Sequence, residues 1–231
     1  MIEWGVEVLR CMAHYTDFSC PVQTLTDREV TLLLKTSGKR VDGFRDHIIF
    51  SVALGSGLRE HEIAALNVGD VWSHELREVR QRVTLPAWKG KGKKGAKRSV
   101  KKEKELQQVV LPMTLRIKLE RFIVWKVERG EAVDAKAPLF VAARRGRRGK
   151  GGRISLRTLR HVFRIWQQRA GFERLLCFHS LRHTACSALY RKTKDLSATQ
   201  RFARHRSILS TQIYVHASDM DMVKAVEGLK C

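Results

Sequence analysis

Acidic residues and paired cysteines are both scarce in this chain, and each shortage excludes something. Asp and Glu number 23 against 45 Lys and Arg, and from Leu139 to Phe172 there is no acid at all beside ten Lys or Arg. Nowhere do carboxylates cluster as a metal site built on acidic ligands would need. The five cysteines (Cys11, Cys20, Cys177, Cys186, Cys231) are an odd set with no CxxC pair. That argues against a disulfide framework and a zinc finger, and for a reducing, cytoplasmic compartment. No stretch approaches the roughly 20 apolar residues of a membrane span. The longest apolar region, "HIIFSVALGSGL", has the length of a core helix. The N-terminal "MIEWGVEVLRCMAHYTDF" has Glu3 and Glu7 and lacks the basic-then-apolar order of a signal peptide.

What is present is a globular composition with an extreme charge. Of 231 residues, 43% are hydrophobic and 29% charged, enough to bury a real core, and the net charge is +22. A balance that far from neutral speaks of partners, and the usual partner is nucleic acid. An anionic membrane would attract the same charge, but here it lies partly in glycine-rich loops and no long amphipathic basic helix stands out.

Residues 1–21 form an ill-defined lead-in ending at Pro21. "LTDREVTLLLKTSG" carries a capping box, Thr26 to Glu29, and predicts a helix closed by Gly38. "VDGFRDHIIFSVALGSG" predicts a second helix, and "LREHEIAALNVGDV" a third that stops near Gly69. "REVRQRVTLPAW" and "ELQQVVLP" then read as two strands, with a further small strand possible around Val71. Between them lies "KGKGKKGAKRSVKKEK": from 89 to 104 it holds nine Lys or Arg and one acid, Glu103. Such a run is either a solvated hairpin tip or a loop able to follow a phosphate backbone. A helix with Leu115, Leu119, Phe122 and Ile123 on one face follows, then a second basic loop, "AARRGRRGKGGR". Leu156, Leu159, Phe163, Trp166 and Ala170 repeat at helical spacing, and this stripe reads as core, Trp166 included. The C-terminal third reads as helical throughout.

Three clusters hold the chemistry: "GLREHE" with Arg59, "HSLRHT" with His179, Arg182 and His183, and "RHRSILSTQIYVH" with His205 and Tyr214. On a helix His179, Arg182, His183 and Cys186 share one face, while Leu181, Ala185 and Leu189 share another that can dock into the core. His179 and His183 have metal-pair spacing, but HSLRH is not HExxH, and Arg182 would set a positive charge beside the metal. Singly, each residue would serve as a surface arginine, a core tyrosine or a capping histidine. Together they suit phosphoryl transfer without a metal. Two guanidinium groups match phosphate oxygens and offset charge that builds under attack. A tyrosine hydroxyl can hold the phosphate covalently, a neutral histidine can take its proton, and a lysine of lowered pKa can protonate the leaving oxygen. Residue chemistry alone carries the reading this far.

"GLREHEIAAL" resembles the first arginine box of the tyrosine recombinases (the phage integrase family). "HSLRHTACSALYRKTKDLSATQRFARHRSILSTQIYVH" resembles their second box almost end to end, with a His-x-x-Arg element, a later histidine and a tyrosine nine residues beyond it. The resemblance implies an α+β, mainly α-helical catalytic domain over 22–217 with a small antiparallel β-sheet, followed by a helical tail over 218–231. It implies Arg59 and Arg182 as phosphate clamps, His179 as base or hydrogen-bond partner, and His205 as transition-state stabiliser. Tyr214 would be the nucleophile, and Glu62 would orient the region of Arg59. The family's lysine sits at a hairpin tip, where Lys91 matches best and Lys89 second. No metal or cofactor is implied. The implied partner is double-stranded DNA, with self-assembly on it as a dimer or tetramer, and no membrane.

Three departures stand out, one of them a hairpin loop longer and more basic than is usual in the family. The family usually has glycine before its later histidine, where Arg204 stands here; its side chain would crowd the site or add a phosphate contact. Family members also normally carry an N-terminal DNA-clamping helical domain, which residues 1–21 are too few to form. Either the chain is a catalytic fragment or it binds DNA from one side. The implied activity is site-specific DNA recombination or integration. A type IB topoisomerase and a non-catalytic DNA-binding protein on the same fold are the alternatives.

Overall fold

The computed structural model describes residues 23–39, 43–85, 107–142 and 152–214. The expected lead-in over 1–21 and tail over 218–231, together with Lys89 and Lys91, lie outside the described residues.

Helix α1 (Asp27–Gly38) starts where its capping box predicts: Thr26 Oγ1 accepts the Glu29 N–H at 3.2 Å and Glu29 Oε2 accepts the Thr26 N–H at 2.7 Å. Helix α2 (Phe44–Ser56) buries Ile48, Ile49, Phe50, Val52 and Ala53 together with Arg45, Asp46, Ser51 and Ser56, and so is enclosed nearly all round as a central helix. The expected third helix is two: α3 (Glu60–Ala65) and α4 (Val68–Val71). Leu66 departs from helical backbone, and the segment pairs with the chain at 137–139 instead. Leu66 O accepts the Leu139 N–H, and Val68 N–H donates to Ala137 O, both at 2.9 Å.

The small sheet is likewise two antiparallel pairs: β1 (Trp72–Ser73) with β2 (Glu78–Val79), and β3 (Arg82–Leu85) with β4 (Gln107–Val110). In the second pair Val83 sits opposite Val109, both buried, so the period-two pattern sets the register. The basic run of residues 89–104 therefore falls between two paired strands.

Helix α5 (Met113–Glu128) buries Leu115, Leu119, Phe122 and Ile123 as its spacing predicts, and Phe122 stacks on Trp125 with centroids 5.4 Å apart. Helix α6 (Leu156–Arg169) buries Leu159, Phe163 and Trp166. The Trp166 indole N–H donates to Asp46 Oδ2 at 2.9 Å, and the same buried carboxylate accepts from Arg45 through Oδ1. Helices α7 (His179–Thr193), α8 (Leu196–Ala203) and α9 (Leu209–Gln212) complete the chain, with α2 packed against α1, α5 and α7. One core runs from Leu25 to Leu181; a second, small cluster of Cys186, Ala203 and Tyr214 lies beyond it. Among the described residues, no helix is long and apolar enough to cross a membrane.

Candidate active site

Gly57 begins the site. Its φ of +59° ends α2 in a left-handed turn, and a Cβ there would lie 2.6 Å from Phe202 Cε1. The turn presents the Gly57 carbonyl to Arg182 Nη1 and delivers Arg59 as the N-cap of α3. Arg182, on the first turn of α7 and 2% exposed, donates its other terminal nitrogen to the carbonyl of Ala203, the last residue of α8. The next carbonyl, that of Arg204, accepts Arg59 Nη2 at 3.3 Å. Two successive carbonyls at a helix C-terminus thus hold one arginine each. A helix end leaves those oxygens unsatisfied and carries partial negative charge, so guanidinium groups belong there.

Glu62 ties the arginines together. Its Oε2 accepts the Arg59 backbone N–H at 2.7 Å and its Oε1 accepts Arg59 Nη1 at 3.2 Å. The side chain of Arg204 turns back to the same Oε2 at 2.5 Å.

The histidines and the tyrosine form the adjoining wall. His179 and His183, one turn apart on α7, meet edge to face with centroids 4.6 Å apart. The Tyr214 hydroxyl lies 2.9 Å from His183 Nδ1. His205 stacks nearly parallel to the Tyr214 ring at 6.2 Å, while its own Nδ1 meets Thr211 Oγ1 at 3.0 Å. Tyr214 is only 3% exposed and packs with Cys186 and Ala203.

The charges follow from this crowding. Burial, then the Arg182 charge, pulls the His179 pKa down to about 4. His183 is held at about 3 by burial, then by His179 and Arg182. Burial again, with Arg182 and Arg59, brings His205 to about 4. All three rings are therefore neutral near pH 7, and positive charge resides on the arginines. Burial raises the Cys186 thiol pKa against the pull of Arg182. Among the described residues, no group of histidine, cysteine and carboxylate side chains is arranged to hold a metal ion.

The model of the phage integrase family matches residues 23–220. The chain belongs to the phage integrase family. Among curated relatives, it is 26% identical over 200 residues to the tyrosine recombinase XerC of Proteus mirabilis, covering 87% of this chain and 56% of the relative. XerC of Corynebacterium efficiens is 32% identical over 181 residues, covering 78% of this chain and 49% of the relative. The chain thus spans about half the length of the curated relatives it matches. The fold is that of the XerH site-specific recombinase solved bound to its difH substrate, with a TM-score of 0.63 and 19% identity, over 90% of this chain and 55% of that one.

Within this integrase-family domain the structure brings Arg59, His179, Arg182, His205 and Tyr214 together, although 155 residues separate Arg59 from Tyr214. Two contacts were not read from the sequence: the bond from Tyr214 to His183, and the path of the Arg204 side chain. His183 was visible as a member of the α7 polar face, but nothing in its spacing pairs it with Tyr214.

Proposed function

We propose that this chain cleaves and rejoins double-stranded DNA as a site-specific recombinase or integrase, through a 3′-phosphotyrosine intermediate. The observation that carries the reading is the Tyr214 hydroxyl held by a neutral histidine beside two arginines that converge on successive carbonyls. Arg59 and Arg182 grip the scissile phosphate and offset the charge that grows on it. The Tyr214 oxygen attacks phosphorus; with the His183 proton on Nε2, Nδ1 accepts the phenol proton. The 5′-oxygen leaves and takes a proton from Lys91, with Lys89 as the alternative donor. His179 and His205, both neutral, bind phosphate oxygens. Attack by a free 5′-hydroxyl on the phosphotyrosine reverses the sequence and rejoins the strand, so bond energy is retained and no nucleotide is consumed.

The +22 charge supports DNA as partner, with binding that weakens steeply as salt rises. Exchange of strands between two duplexes requires several protomers, so a dimer or tetramer on DNA belongs to this reading, as does a cytoplasmic location.

The test uses a pool of nicked duplex oligonucleotides of randomised central sequence. Wild-type protein should leave a DNA adduct that survives denaturing electrophoresis, and the recovered duplexes define the site. Tyr214→Phe should give no adduct while retaining salt-sensitive binding. An equally strong adduct from that variant would overturn the nucleophile assignment. Relaxation of a supercoiled plasmid without exchange between two recovered sites would favour a topoisomerase.

A further inference from the structure

Arg204 stands where the resemblance leads one to expect glycine, and its backbone shows why glycine suits the place. With φ of +54° it occupies the left-handed region, unfavourable for any residue with a Cβ. Its side chain is 5% exposed, yet only Nη2 has a partner, Glu62 Oε2. Nε and Nη1 are buried without a hydrogen-bond partner among the described residues. A strained backbone and two unpaired buried donors both work against the folded state. Packing therefore does not account for an arginine here.

The hydrogen bonds do. Arg59, Glu62 and Arg204 form a closed ring: Glu62 holds the backbone N–H and Nη1 of Arg59, Arg204 holds Glu62, and the Arg204 carbonyl holds Arg59 Nη2. Glycine would keep the carbonyl and lose the link to Glu62. Without that link Glu62 Oε2 is held from one side only, and the carboxylate that orients the guanidinium of Arg59 is less firmly fixed.

Resting on the function proposed above, we infer that Arg204 is a positioning residue that acts through Glu62 to aim Arg59 at the scissile phosphate. The arrangement trades folding stability for orientation of a phosphate clamp.

Arg204→Gly and Glu62→Gln, singly and combined, test this on the duplex recovered from the randomised pool, with Tyr214→Phe as reference. Arg204→Gly should unfold at the wild-type temperature or above it, while strand cleavage slows by about a hundredfold, the scale expected for a misplaced catalytic group. Combined with Glu62→Gln it should cost no further rate, because both act on the same link. Three results overturn the inference: wild-type cleavage by Arg204→Gly, a lowered unfolding temperature that marks a structural clasp, or additive losses in the double variant. If wild type forms an adduct that Tyr214→Phe does not, the proposed function stands whatever Arg204→Gly does. If wild type forms none, both fall.

Discussion

The hydroxyl of Tyr214 is bonded to His183 on α7, 2.9 Å away, and the ring of His205 lies nearly parallel to the same tyrosine with centroids 6.2 Å apart. The phenol is therefore held by a neutral ring nitrogen in a space that Arg182 and Arg59 make electropositive. That arrangement, a neutral histidine of α7 against the phenol and positive charge on the arginines, leads to the first prediction.

His183→Ala should slow formation of the covalent adduct by about a hundredfold or more, the usual contribution of a positioned proton acceptor. DNA binding, measured by filter retention over a salt series, should change little, since a neutral ring adds no charge. Adduct formation at the wild-type rate would show that the Tyr214 proton leaves by another route.

For the leaving oxygen, Lys91→Ala should slow cleavage more than Lys89→Ala. A substrate with sulfur in place of the 5′-oxygen should restore the rate, because a thiolate departs without a proton. A larger and restorable defect in Lys89→Ala would move the general acid to that position.

Asp46→Ala should destabilise the fold by roughly 3–5 kcal/mol, as loss of one member of a buried charged pair does. Asp46 lies 6% exposed; its loss leaves the Arg45 guanidinium and the Trp166 indole N–H without their carboxylate. Urea unfolding measures the change, and Asp46→Asn, which keeps an acceptor, should lose less. Equal losses in the two variants would mean the charge, not the acceptor, matters.

Stability should fall with acid in a window set by the histidines. Unfolded histidines titrate near 6.5, whereas His179 and His205 are held at about 4 and His183 at about 3 in the fold. Below pH 6.5 the unfolded chain takes up protons that the folded chain does not, so stability is full above that pH and declines toward pH 4. Urea midpoints measured from about pH 7.5 down to about pH 5 should drop steadily. A flat profile would show that the three rings are not buried neutral.

Much of the scaffold was legible because it depends on neighbours in sequence. The capping box at Thr26 and Glu29 uses atoms three residues apart, so the start of α1 is written locally. The stripes that bury Leu115 to Ile123 and Leu159 to Trp166 follow from helical period alone. The third expected helix failed for the opposite reason. Its break at Leu66 answers to hydrogen bonds with residues 137–139, some seventy positions on, and no local pattern records them.

By itself, then, the sequence determined the residue types of the candidate site, the order of its helices and strands, and the charge available to draw in a polyanion. These are properties of composition and short-range spacing. Only the tertiary structure decided which histidine holds Tyr214, which carbonyls anchor Arg59 and Arg182, and that Arg204 turns inward to Glu62. Each of those depends on where α3, α7 and the end of α8 meet in space. Hydrogen bonds between groups 21 to 145 residues apart are chosen by packing and leave no periodic trace in the chain.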